Sequence, residues 1–113
     1  MTLLSFERYR EADVVNFRFA TQRHGSDHRS PELVVTSRGG GDARSSRVWI
    51  LSGSGGGTGD ELIWRFSYAI VPPAGDGVDL VVEVTRIEWF SYGRGERTLA
   101  ATSEGPWRFM VRT

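Results

Sequence analysis

Two stretches decide how this chain folds: Glu61-Leu62-Ile63-Trp64-Arg65-Phe66-Ser67-Tyr68-Ala69-Ile70-Val71, and Val78-Asp79-Leu80-Val81-Val82-Glu83-Val84. In the first, Leu62, Trp64, Phe66, Tyr68 and Ile70 take every second position, with Arg65 and Ser67 between them. In the second, Val78, Leu80, Val82 and Val84 do the same around Asp79 and Glu83. A period of two means one buried face and one wet face, the mark of an antiparallel sheet over a core. A Pro72-Pro73-Ala74-Gly75-Asp76-Gly77 turn separates them. Two prolines disfavour a tight two-residue hairpin, so the turn is expected to carry the chain to a second sheet. A hairpin would instead set Arg65 opposite Glu83.

The same alternation extends on both sides. Thr2 to Tyr9 reads as a strand with Leu4 and Phe6 inward, and Glu11-Ala12-Asp13 as a short polar turn. Val14 to Thr21 follows as a strand with Val15, Phe17 and Phe19 on one side. Glu32 to Ser37 and Arg47 to Leu51 are short strands, the latter apolar on both faces: Val48 and Ile50 against Trp49 and Leu51. Arg38 to Ser46 and Ser52 to Asp60 read as glycine-rich loops, because neither offers enough burial to offset its ordering entropy. Beyond Val84 the pattern slips, with Ile87 and Trp89 apolar where Arg86 and Glu88 should be. A β-bulge near Thr85 and Arg86 would restore the phase. A Gly93-Arg94-Gly95 turn, a weak strand over Arg97 to Ser103, and a last strand of inward Trp107, Phe109 and Val111 complete the chain. Seven or eight short strands without a helix predict an all-β fold, a seven- to eight-stranded antiparallel immunoglobulin-like β-sandwich, with a small β-barrel as the alternative.

Composition narrows the function classes. The 113 residues make one domain, residues 1–113, long enough for a core without staples. Net charge is zero, which gives no electrostatic reason to expect nucleic acid or an anionic membrane. Cysteine is absent, which excludes disulfides, thiolate metal sites and thiol nucleophiles. Every basic residue is Arg; without Lys there is no Schiff-base chemistry and no P-loop lysine. No basic segment followed by a long apolar run opens the sequence, so a soluble, cytoplasmic protein is expected.

With the strands placed, the chain resembles a family of small actinobacterial proteins with an immunoglobulin-like sandwich. The likeness rests on Leu-Leu-Ser-Phe-Glu-Arg-Tyr (residues 3–9), Val14-Val15-Asn16-Phe17-Arg18-Phe19, and a glycine-rich loop before an aromatic strand. Pro72-Pro73-Ala74 before an aliphatic strand and Gly105-Pro106-Trp107-Arg108-Phe109 complete it. The Arg38 to Ser46 insertion departs from the pattern. These motifs are strand cores, turns and caps, so the resemblance implies a fold and no activity.

Candidate chemistry is sparse. His24, Asp27 and His28 could ligate a metal, but His-x-x-x-His gains its specificity on a helix, and Gly25 in a polar loop argues for a solvated segment. No Gly-x-Ser-x-Gly elbow occurs. The Gly53 to Gly59 run leads into a strand, not a helix, so it is no phosphate cradle. Asp79 and Glu83 lie about 13 Å apart along one strand, beyond the reach of an acid–base pair. What remains is surplus apolar surface. Trp49, Leu51, Ile63 and Val81 fall opposite the core face, with Trp89 joining them if the bulge is absent, and Trp107 leads an edge strand. The expectation is therefore a non-enzymatic interaction or accessory module without a cofactor. Its partner would be a protein or a second copy in a homo-oligomer. The alternative is a small-ligand or metal-binding domain acting through loops 22–31 and 52–60.

Overall fold

The computed structural model describes residues 1–22, 29–39, 46–57 and 59–113. They form seven strands: β1 (Thr2–Arg8), β2 (Asp13–Gln22), β3 (Arg29–Gly39), β4 (Arg47–Gly56), β5 (Glu61–Val71), β6 (Asp79–Gly93) and β7 (Glu96–Arg112). All pairs are antiparallel, in a four-stranded sheet ordered β1-β2-β5-β4 (sheet A) and a three-stranded sheet ordered β3-β6-β7 (sheet B). The sheets stay separate, so the described residues form a β-sandwich and no closed barrel. The Pro72-Pro73 segment passes between sheets: β5 lies in A and β6 in B. Glu83 accordingly pairs with Arg108, at 2.7 Å, and not with Arg65.

Alternation builds the core. Val15, Phe17 and Phe19 of β2 and Phe66, Tyr68 and Ile70 of β5 meet Leu33, Leu80, Val82, Val84 and Ile87 of sheet B. Phe17, Val82 and Val84 are fully buried, each stabilising the fold by about 1.5–3 kcal/mol. Phe19 stacks on Phe66 and Phe17 meets Tyr68 edge-on. The Tyr68 hydroxyl donates to the Leu33 carbonyl at 3.4 Å. Burial raises its pKa from 10.0 to about 12.

The slip after Val84 is a bulge at Thr85. Pairing to β3 passes from Val84 to Arg86, leaving Thr85 without an opposite number. The shift returns Ile87 to the core and packs Trp89 against it, while Arg86 and Glu88 face out as an ion pair. Opposite Thr85, β7 also breaks register, between Trp107 and Glu104. The weak strand and the last strand are thus one strand interrupted at Gly105-Pro106. A Cβ at Gly105 would lie 2.8 Å from the carbonyl oxygens of Val84 and Thr85.

Two further expectations are corrected. Ser52 to Gly56 is the second half of β4, not a loop. Gly53 pairs with Phe66 and Gly55 with Trp64. A Cβ at Gly53 would stand 2.6 Å from Phe66 Cε1, and one at Gly55 only 2.2 Å from Trp64 Cε3. The aromatic rings of β5 fill the space that side chains on β4 would need, so these glycines serve a strand. Asp13, expected in a polar turn, opens β2 and is fully buried. Its Oδ2 accepts from Ala74 N at 2.7 Å, and Arg8 Nε stands 3.9 Å from Oδ1. Arg8 also donates to the Ala74 carbonyl and to Asp76. Together they clamp the crossover to the β1–β2 corner.

Candidate functional site

Of the edge strands, three carry devices that discourage pairing with another chain. β1 is short and bears Glu7 and Arg8. β3 contains Pro31, Glu32 and Arg38. β7 carries Gly105-Pro106, and its Arg108 and Arg112 are tied to Glu83 and Asp79. β4 differs: after Arg47 it reads Val-Trp-Ile-Leu-Ser-Gly-Ser-Gly-Gly, without charge or proline.

That strand displays Trp49, Ile50 and Leu51, which are 55%, 56% and 57% exposed. Trp49 pairs with Ala69 on the outer face. Ile50 pairs with Tyr68, which is buried, so register points it inward. It is exposed nonetheless, since β4 is an edge strand of sheet A. Leu51 is skipped by the register between Ile50 and Ser52 and sits on a bulge. Ile50 was therefore missed by sequence reasoning, which placed it in the core on parity alone.

The remaining predicted interface residues do not gather around Trp49 and Leu51. Ile63, half-buried, lies in register with Ala20 and Gly56 on the outer face of sheet A. Val81, also half-buried, pairs with Met110 on sheet B. Trp89 and Trp107 pack against the core, Trp89 because the Thr85 bulge shifts its phase. The expected route through the Trp107 to Thr113 edge is thus weakened by the paired arginines at 108 and 112. His24, Asp27 and His28 lie outside the described residues. Among the described residues no group of three His, Cys, Asp or Glu side chains could hold a metal ion.

A second feature lies at the end of the sandwich where β2 stops and β3 starts. A cavity of about 340 Å3 opens there between the sheets, lined by Leu62, Trp64, Trp89, Gln22, Ala101 and Ser103 among others. Trp64 Nε1 donates to Thr21 Oγ1 and Trp89 Nε1 to Ser103 Oγ, each at 3.0 Å. The two indoles meet edge-on, centroids 6.2 Å apart and planes at 77°. Of the expected ligand loop 52–60, residues 52–56 belong to β4; loop 22–31 contributes its described ends, Gln22 and Arg29, to the cavity.

Comparison with protein-family models, with curated proteins and with solved structures finds no match to this chain.

Proposed function

We propose that the chain is a non-enzymatic interaction module, an immunoglobulin-like sandwich that adds a partner strand along β4, with a second copy of itself as that partner. The order β1-β2-β5-β4 facing β3-β6-β7 supports the immunoglobulin-like reading, since constant-type domains set their first, second, fifth and fourth strands against the third, sixth and seventh. It also agrees with the resemblance to small actinobacterial sandwich proteins.

The observation that carries the function is the exposed Trp49-Ile50-Leu51 run on the one edge strand without charge or proline beyond its first residue. Strand addition supplies main-chain hydrogen bonds, and apolar anchors supply the binding energy. Charge favours a twofold pair. Antiparallel β4–β4 pairing directs Arg47 at the start of one strand toward exposed Asp60 and Glu61 past the end of the other.

Sedimentation velocity over a concentration series tests this. The wild type should shift from monomer to dimer, and Ile50→Lys should weaken the dimer by about 1,000-fold, the effect of losing an anchor of about 2 kcal/mol on each of the two copies. A wild type that stays monomeric at millimolar concentration contradicts self-pairing.

A further inference from the structure

We propose that the cavity between the ends of the sheets is a binding site for a small, planar aromatic molecule of one or two rings. Two side chains of the corner point there. Trp64 is fixed across three strands of sheet A: its indole N–H is held by Thr21 on β2, and its benzo edge lies over Gly55 on β4. Trp89 comes from sheet B, held by Ser103, and meets both Trp64 and Phe19 nearly at right angles, at 77° and 84°. The two indoles therefore make a floor and a wall whose orientations are set by hydrogen bonds and by a missing side chain.

With each indole N–H already committed, the two tryptophans offer π faces and ring edges, not donors. A flat ring can stack on one indole while meeting the edge of the other, the two arrangements aromatic pairs prefer. A saturated molecule of equal volume would gain neither. The room itself comes from small residues on β7: Ala101 pairs with Trp89, and Ser103 with Ile87. A bulkier side chain at 101 would fill the cavity from within. Gln22 and the remaining hydrogen of the Ser103 hydroxyl stand ready for one polar edge of a ligand. A volume of about 340 Å3 falls within the range of small-molecule sites, roughly 300–1,000 Å3. The site shares no residue with the Trp49-Ile50-Leu51 run, so it stands apart from the interaction reading.

The four tryptophans give four indole N–H signals in a nitrogen–proton NMR spectrum, which permits a test with internal controls. Indole is titrated into the whole chain, with cyclohexanol as the saturated probe. Expected are saturable shifts of the Trp64 and Trp89 signals while those of Trp49 and Trp107 stay in place. Cyclohexanol should bind at least tenfold more weakly, and a folded Ala101→Phe protein should lose the indole shifts. No saturable shift on indole addition overturns the proposal. So do equal shifts at Trp49, equal affinity for cyclohexanol, or undiminished binding to Ala101→Phe. The two wild-type titrations decide the matter even where the variant fails to fold.

Discussion

The outer surfaces of the two sheets are finished by different chemistry. On sheet B four arginines have a carboxylate beside them: Arg86 with Glu88, Arg97 with Glu32, Arg108 with Glu83, Arg112 with Asp79. Arg97 also covers Phe90, its guanidinium carbon 3.9 Å from the ring centroid. On sheet A the middle rows are small and neutral, with Asn16 bridging Ser5 and Ser67. There Arg18 and Arg65 stand directly opposite each other, and among the described residues neither has a carboxylate partner. One surface is closed by mutual charge neutralisation; the other ends in an uncharged strand with three bare apolar side chains. Charge pairing goes with charged or proline-bearing edges on sheet B, and beyond Arg47 β4 has neither, its one irregularity being the bulge at Leu51. This contrast is the support for the proposal that β4 receives a partner.

The comparison breaks first at the clamp that joins the sheets. Asp13→Ala removes the buried acceptor of Ala74 N and leaves that donor unpaired, while Arg8 keeps Asp76, so unfolding in urea should show a loss of about 1–3 kcal/mol. Next comes the dependence of β4 on its glycines. Gly55→Val pushes into the Trp64 ring and should cost about 1–3 kcal/mol. Thr102→Val, at an exposed position of β7, should stay within about 0.5 kcal/mol in the same assay. An equal effect at both positions would remove the distinction between the two edges.

Two smaller effects sharpen the contrast. Arg65→Glu would place a carboxylate opposite Arg18 and replace repulsion by attraction, raising stability by about 0.5 kcal/mol. Glu83→Ala on sheet B should lower it by a similar amount, about 0.5 kcal/mol, since Arg108 is exposed. The core that both sheets share carries its own pH signature. Tyr68 loses its proton at about pH 12 in the folded state and near 10 once unfolded. Its stabilising effect is therefore complete below pH 10 and fades as pH rises from 10 to about 12. Tyr68→Phe should flatten that alkaline slope in a urea-midpoint series.

Much of this architecture was legible because it is local. The alternation in β2, β5 and β6 states which side chains go in, and the displacement of Ile87 and Trp89 from parity announces the Thr85 bulge. The Pro72-Pro73 pair announces the crossover. Less legible were features that depend on a neighbouring strand. Gly53 and Gly55 resemble loop residues until Phe66 and Trp64 are laid beside them. Ile50 has core parity, yet it is exposed on an edge strand. Gly105-Pro106 looks like a strand boundary, yet pairing resumes on both sides of it. The cavity is less legible still, since it follows from small residues at 101 and 103 facing tryptophans from both sheets.

Amide hydrogen exchange across β4, compared between dilute and concentrated protein, tests the edge-pairing account most directly. The account predicts slowed exchange at outward amides between Val48 and Ser54 as concentration rises, with β7 amides unchanged. Identical β4 exchange at both concentrations, or slowing along β7 instead, would contradict it.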